Sequence, residues 1–253
     1  MSAIRLGTRA STLATTQSEM VAGLLRSEGL DVNLTTITTH GDTSTASLAA
    51  MGGIGVFASA IRAALLEGEA DIAVHSFKDL PTGRPLGLAI GAVPARADPR
   101  DALVARDGLT LHDLPQEASV GTGSPRRAAQ LLAVRPDLTI VDIRGNVDTR
   151  LGRVKGLGRY AKNGGKEDLD AVVLAASGLA RLGHSGAVTE FLDPSVVLPA
   201  PAQGALAVEC RTADSRHGKL AKALARIDDR RTRLAATAER AVLSHLAVSY
   251  THL

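Results

Sequence analysis

Short apolar runs that break at a glycine or a hydroxyl residue and open into helix-period segments recur along this chain, and they restrict it to an α/β fold. Residues 4–7 read as a strand. Ser11 then caps a helix running toward Glu28, with Leu13, Val21, Leu24 and Leu25 at helical spacing. Residues 31–38 are β-branched and strand-like, Val56–Leu66 is helical and stops at Gly68, and 71–75 and 86–93 are further strands. A proline-containing crossover at 94–99 leads to a second set. Its strands are Ser119–Gly121, 139–143 and 170–175, its helices 126–134 and 147–157, and its charged loop 159–167. Such alternation calls for parallel or mixed sheets with helices on both faces. A proline-rich return at 194–204 precedes a strand at 205–210. Helices at 215–227 and 230–246 follow, with no strand after them.

Two strand-to-helix turns are basic: Gly121-Thr122-Gly123-Ser124-Pro125-Arg126-Arg127 and Arg144-Gly145-Asn146-Val147-Asp148-Thr149-Arg150. Guanidinium forks beside hydroxyl and amide side chains at helix N-termini suit a ligand with several carboxylates or phosphates. The same residues also read as ordinary helix starts, with Ser124 as N-cap and Pro125 at the first helical position. Charge favours the ligand reading. Residues 121–166 hold ten Lys/Arg against three Asp/Glu, whereas 1–95 hold six against eight, within a chain of net charge +3. Arg144 precedes a glycine that lets a ligand approach the backbone.

A third block, Val74-His75-Ser76-Phe77-Lys78-Asp79-Leu80-Pro81, delivers Lys78 and Asp79 to the end of a buried strand. There a carboxylate stabilises a developing cation or accepts a proton; the bland alternative is a surface ion pair. His75 reads as a packed, hydrogen-bonded histidine. Arg9 and Ser11 repeat the cation-and-hydroxyl pattern after the first strand. The Gly52-Gly53-Ile54-Gly55 loop lacks the Lys and Ser/Thr of a Walker loop. The seven His have no metal-ligand spacing. Cys210 is the only cysteine, so no disulfide framework forms. Aromatics at 2% leave few platforms for stacking bases, against nucleic-acid binding. No apolar run reaches membrane-spanning length and the first residues lack a signal-peptide pattern, so a soluble, cytoplasmic chain is expected.

The blocks HSFKDLP (75–81), DPRDALV (98–104), GTGSPRR (121–127), RGNVDTR (144–150) and PAQGALAVECR (201–211) resemble the hydroxymethylbilane synthase, or porphobilinogen deaminase, family. The resemblance implies two periplasmic-binding-protein-like lobes with an active-site cleft between them, residues 1–95 with 196–213 and residues 96–195. It also implies the helical start of an incomplete third α/β domain at 214–253. It implies a monomeric enzyme that joins porphobilinogen units head to tail into hydroxymethylbilane, with loss of ammonia. The growing oligopyrrole is built on a covalent dipyrromethane cofactor. Asp79 matches the family's catalytic carboxylate. Lys78, Arg126, Arg127, Arg144 and Arg150 would grip acetates and propionates, and Arg9, Ser11, Thr122, Ser124, Asn146 and Gln203 would complete the lining.

Two departures stand out. Ile54 and Ser59 occupy places where many relatives carry lysines. The family's cofactor-bearing cysteine, counted from Glu239, falls at Tyr250, and Cys210 belongs to a different block. The final residues therefore read as a truncation or a foreign tail. The expectations are an untethered, inactive or impaired chain and an exposed apolar face on the helices at 215–246. The competing reading is a non-catalytic two-lobed binding module for a small polycarboxylate.

Overall fold

The strand–helix alternation is realised twice. The computed structural model describes residues 3–37, 56–83 and 85–250. The 52–55 glycine stretch with Ile54, the surroundings of the Tyr250 side chain, and residues 251–253 lie outside that description. The chain divides into one unit of Met1–Ala97 with Ala205–Leu253 and another of Asp98–Gly204. The first run contains β1 (Ile4–Thr8), α1 (Thr12–Ser27), β2 (Val32–Thr36), α2 (Val56–Leu66), β3 (Ile72–Ser76) and β4 (Leu88–Ala92). The second unit holds β5 (Asp101–Ala105), β6 (Ser119–Gly121), α3 (Pro125–Val134), β7 (Thr139–Val141), α4 (Val147–Leu151), β8 (Ala171–Ala175), α5 (Ala176–Arg181) and β9 (Glu190–Phe191). The chain then returns as β10 (Leu206–Arg211), α6 (Gly218–Ile227) and α7 (Arg230–Tyr250).

Both sheets follow one plan. The first has the order β2-β1-β3-β10-β4 and the second β7-β6-β8-β5-β9. In each, three parallel strands are followed by an antiparallel strand. Parallel pairing matters for function, because it brings the carboxyl ends of β1 and β3 to one edge, and those of β6, β7 and β8 to one edge of the other sheet. Alternate residues of each strand face opposite layers. Ile72 and Val74 pack with Val21 and Leu25 of α1 and Leu224 of α6, while Ala73 packs with Ile61 and Leu65 of α2. In the second unit Leu103, Val120 and Val173 meet Leu131 of α3. Val104, Val172 and Leu174 meet Leu151 of α4 and Leu179 of α5. Helices cover both faces, the arrangement that the alternation demands.

Several boundaries differ from the sequence reading. β5 is fully buried, yet an aspartate and two alanines among its five residues give it little strand propensity. The helix expected at 147–157 ends at Leu151. Gly152 lies so close to Ala161 that a Cβ there would meet the alanine's at 2.7 Å, and Val154 instead bridges Leu169. Residues 196–204 fall in the second unit, and 214–253 group with the first. An exposed apolar face is present on α7, where Leu234, Val242 and Leu246 are exposed. It is absent from α6, whose Ala223 and Leu224 join the first unit's core with Leu220 and Ile227 packed against it.

Candidate active site

Every hydroxyl or amide residue singled out in the turns helps to build its own turn. Ser11 Oγ accepts from Ala14 N at 3.4 Å and caps α1. Ser124 Oγ accepts from Arg127 N at 3.5 Å and caps α3, with Pro125 at the first helical position. Asn146 Oδ1 accepts from Thr149 N at 2.8 Å and caps α4. Buried Thr122 accepts from Ser124 N at 3.2 Å through its hydroxyl oxygen. The capping reading and the ligand reading are compatible, since a capping serine keeps its hydroxyl proton and a capping asparagine its amide donors. The glycines are structural as well. A Cβ on Gly123 would sit 2.6 Å from the Ile143 carbonyl oxygen, and Gly145 has φ +97°, a conformation that L side chains rarely adopt. Gly145 is therefore required by backbone geometry before any ligand arrives.

The arginines divide into two groups. Arg126 and Arg127 do not stand ready as bare forks, as the sequence reading had them, because both close on Asp101 at the start of β5. Arg127 Nε and Nη2 donate to Asp101 Oδ1 at 3.0 and 2.7 Å, and Arg126 Nη2 donates to Oδ2 at 2.7 Å. Arg127 also donates to the Val173 carbonyl at 3.2 Å, and Arg126 to that of Leu198. Gln203, fully buried, donates to Asp101 Oδ1 at 2.8 Å and to the Pro99 carbonyl at 2.7 Å. Its amide thus holds the network together instead of lining a surface. Burial would raise the Asp101 carboxyl, but the guanidiniums of Arg127 and Arg126 outweigh it and hold it below the ordinary carboxylate range. Two guanidiniums on one carboxylate leave an excess positive charge.

Arg144 and Arg150 form the second group. Arg150 Nε donates to the Gly145 carbonyl at 2.9 Å, which ties the side chain back to its own turn. Its pKa is lowered, first by burial and then by the charges of Arg127 and Arg144, with Asp142 opposing. Like charges are thus gathered at the ends of β6 and β7. Arg181 adds a cation that the sequence reading missed. Burial lowers its pKa, its Nη2 donates to the Gly204 carbonyl at 2.7 Å, and its Nε is buried without a hydrogen-bond partner among the described residues. A lone arginine ending a short helix looks solvated in sequence; only the fold reveals its burial.

In the first unit, Arg9 and Ser11 follow β1, and Lys78 and Asp79 lie on a single 3₁₀ turn, Phe77–Asp79, that follows β3. Asp79 is exposed, and no ion pair to it forms among the described residues. His75 is packed, as expected. Its Nε2 lies 3.3 Å from buried Glu209, which also takes a fork from Arg62 at 3.0–3.1 Å.

Residues 4–219 match the family model described as porphobilinogen deaminase, dipyromethane cofactor binding domain. The porphobilinogen deaminase of Micrococcus luteus is 56% identical over 97% of this chain and 70% of its own length. That of Leifsonia xyli subsp. xyli is 58% identical over 96% of this chain and 72% of its own. The chain belongs to the porphobilinogen deaminase family. A solved nutrient-binding protein from Burkholderia cenocepacia, bound to methionine, matches at a TM-score of 0.50 and 16% identity, covering 88% of this chain and 91% of its own. That likeness shows the periplasmic-binding-protein-like fold alone. Porphobilinogen deaminases are transferases of tetrapyrrole synthesis, and their family cofactor is dipyrromethane.

The residues present fit that cofactor's carboxylates, since Arg144, Arg150 and Arg181 supply cationic donors at or near the strand ends. Cys210 is no candidate for its thioether tether. Cys210 is fully buried on β10, and burial with the nearby Asp214 pushes its thiol up to about 11. A protonated, enclosed thiol is a poor nucleophile. Intact-mass measurement of the purified 253-residue chain should therefore return the unmodified mass, and Cys210 should resist alkylation at pH 8 until the protein is unfolded. A dipyrromethane adduct, or native alkylation as fast as unfolded, would contradict this.

Proposed function

We propose that this chain binds porphobilinogen and its oligopyrrole products through the strand-end cations, as the substrate-binding part of their stepwise deaminative condensation to hydroxymethylbilane, a reaction that also needs the family's tethered cofactor. The single observation that carries the reading is the gathering of Arg127, Arg144 and Arg150, close enough that each neighbour's charge weighs on Arg150. Such a concentration of positive charge attracts a polyanion. Each pyrrole carries an acetate and a propionate, so a growing chain accumulates the charge that these cations attract.

The roles follow from chemistry. Arg144 and Arg150, with Lys78 and Arg9, grip carboxylates. The side of Arg126 not engaged by Asp101 adds a further donor. Ser11, Ser124 and Asn146 supply hydroxyl and amide donors, while Thr122, Arg127 and Gln203 hold the turn in shape. When ammonia leaves porphobilinogen, positive charge develops on the pyrrole as an azafulvene. The Asp79 carboxylate accepts the pyrrole N–H and stabilises that cation. Plain anion capture gains nothing from a carboxylate in this position, so the binding-module alternative is not favoured. A monomeric, cytoplasmic setting belongs to the same reading. Calorimetric titration with porphobilinogen tests it: saturable binding that weakens with added salt is expected, and the absence of binding would overturn it.

A further inference from the structure

The turn that carries Lys78 and Asp79 has little internal support. Its one closing bond, Leu80 N to the Phe77 carbonyl, is long at 3.4 Å, and Pro81 offers no N–H. Support comes instead from Arg240 on α7. Its Nη1 donates to the carbonyls of Phe77 at 3.0 Å and Leu80 at 2.8 Å, and its Nη2 donates to that of Pro81 at 2.6 Å. The guanidinium carbon lies 4.5 Å from the centre of the Phe77 ring. Phe77 and Leu80 are buried, which roots both ends of the turn in the core. One planar group therefore spans the carbonyls on both sides of Lys78 and Asp79.

We propose that Arg240 is a positioning residue for Asp79: its fork fixes the backbone of the turn so that the exposed carboxylate is presented in one place. The proposal rests on the reading of Asp79 given above. It is a role for a guanidinium specifically. A lysine ammonium is compact and cannot reach three carbonyls in one plane while lying flat on an aromatic ring. It is also separable from the docking of α7. That helix has its own anchors in Arg96 to Glu239 at 2.5 and 2.9 Å, Arg96 N to Thr232 Oγ1 at 3.0 Å, and Arg233 to Asp228 at 2.8–2.9 Å.

The test is a double-mutant cycle on the whole chain, read by calorimetric titration with porphobilinogen, together with hydrogen exchange of the 77–83 segment. Arg240→Lys should weaken binding about tenfold in the parent and less than about twofold beside Asp79→Asn, because residues that act through one shared backbone segment couple. Exchange should rise at 77–83 and stay unchanged in α1 and β10. Equal losses in both backgrounds, or no loss with unchanged exchange, would overturn the proposal. If Asp79→Asn alone binds as tightly as the parent, the assignment of Asp79 fails, and with it the target of Arg240. Weak binding by Asp79→Asn beside tight binding by Arg240→Lys overturns only the role of Arg240. Arg240→Gln, which keeps a planar donor for one carbonyl, is the second variant should the lysine variant fail to fold, and it faces the same criteria.

Discussion

Asp101→Asn should lower the stability of the second unit by about 3–5 kcal/mol, the usual cost of removing one partner from a buried ion pair. Asp101 is fully buried and Arg127 nearly so, and the carboxylate is the shared acceptor for Arg127, Arg126 and Gln203. Neutralising it strands a guanidinium in the interior. The same logic sets the acid limit. A carboxyl held low in the folded state adds stability that is fully present above its unfolded value of 3.8 and is lost as the pH falls through the folded value. Asp170 acts in the same direction: burial would raise it, but Lys155, Ser119 and Arg106 pull it far lower. The second unit should therefore lose stability as the pH falls below about 4, and Asp101→Asn should remove part of that slope. Denaturant unfolding across pH measures both. A loss under about 1 kcal/mol would mean that the network is dispensable.

Asp79→Asn should reduce porphobilinogen consumption about 10²–10³-fold, the range seen when one preorganised electrostatic contact to a developing charge is lost. The assay requires a version of the chain supplied with the family's attachment cysteine, because Cys210 does not provide one. Asparagine keeps the size of the side chain and an acceptor oxygen for the pyrrole N–H, so the loss reports the missing charge. Circular dichroism should be unchanged, since Asp79 is exposed and holds no ion pair among the described residues. Equal consumption by the two forms would remove Asp79 from the chemistry.

What was legible in the sequence was what has a local signature. Ser11, Ser124 and Asn146 cap helices because their side chains reach amides only three residues on. Glycines 123 and 145 mark turns whose geometry excludes a side chain. What was not legible was pairing across the fold. Arg126 and Arg127 meet Asp101 from 25 and 26 residues away. That meeting exists because β5 runs antiparallel to β8, which in turn pairs with β6, and the weak strand propensity of β5 hid it from a reading of the sequence. The two arginines thus looked like free ligand grips. Arg181 and Arg240 carry no local signature, and both donate to backbone carbonyls distant in sequence.

The central claim is that cations gathered at the strand ends hold the carboxylates of a pyrrole substrate. Calorimetric titration of porphobilinogen into the parent chain and into Arg144→Leu and Arg150→Leu tests it most directly. Each substitution removes a charge-assisted contact and should weaken binding roughly tenfold to a hundredfold. The parent's affinity should also fall as ionic strength rises. Undiminished binding by both variants, or binding indifferent to salt, would contradict the account.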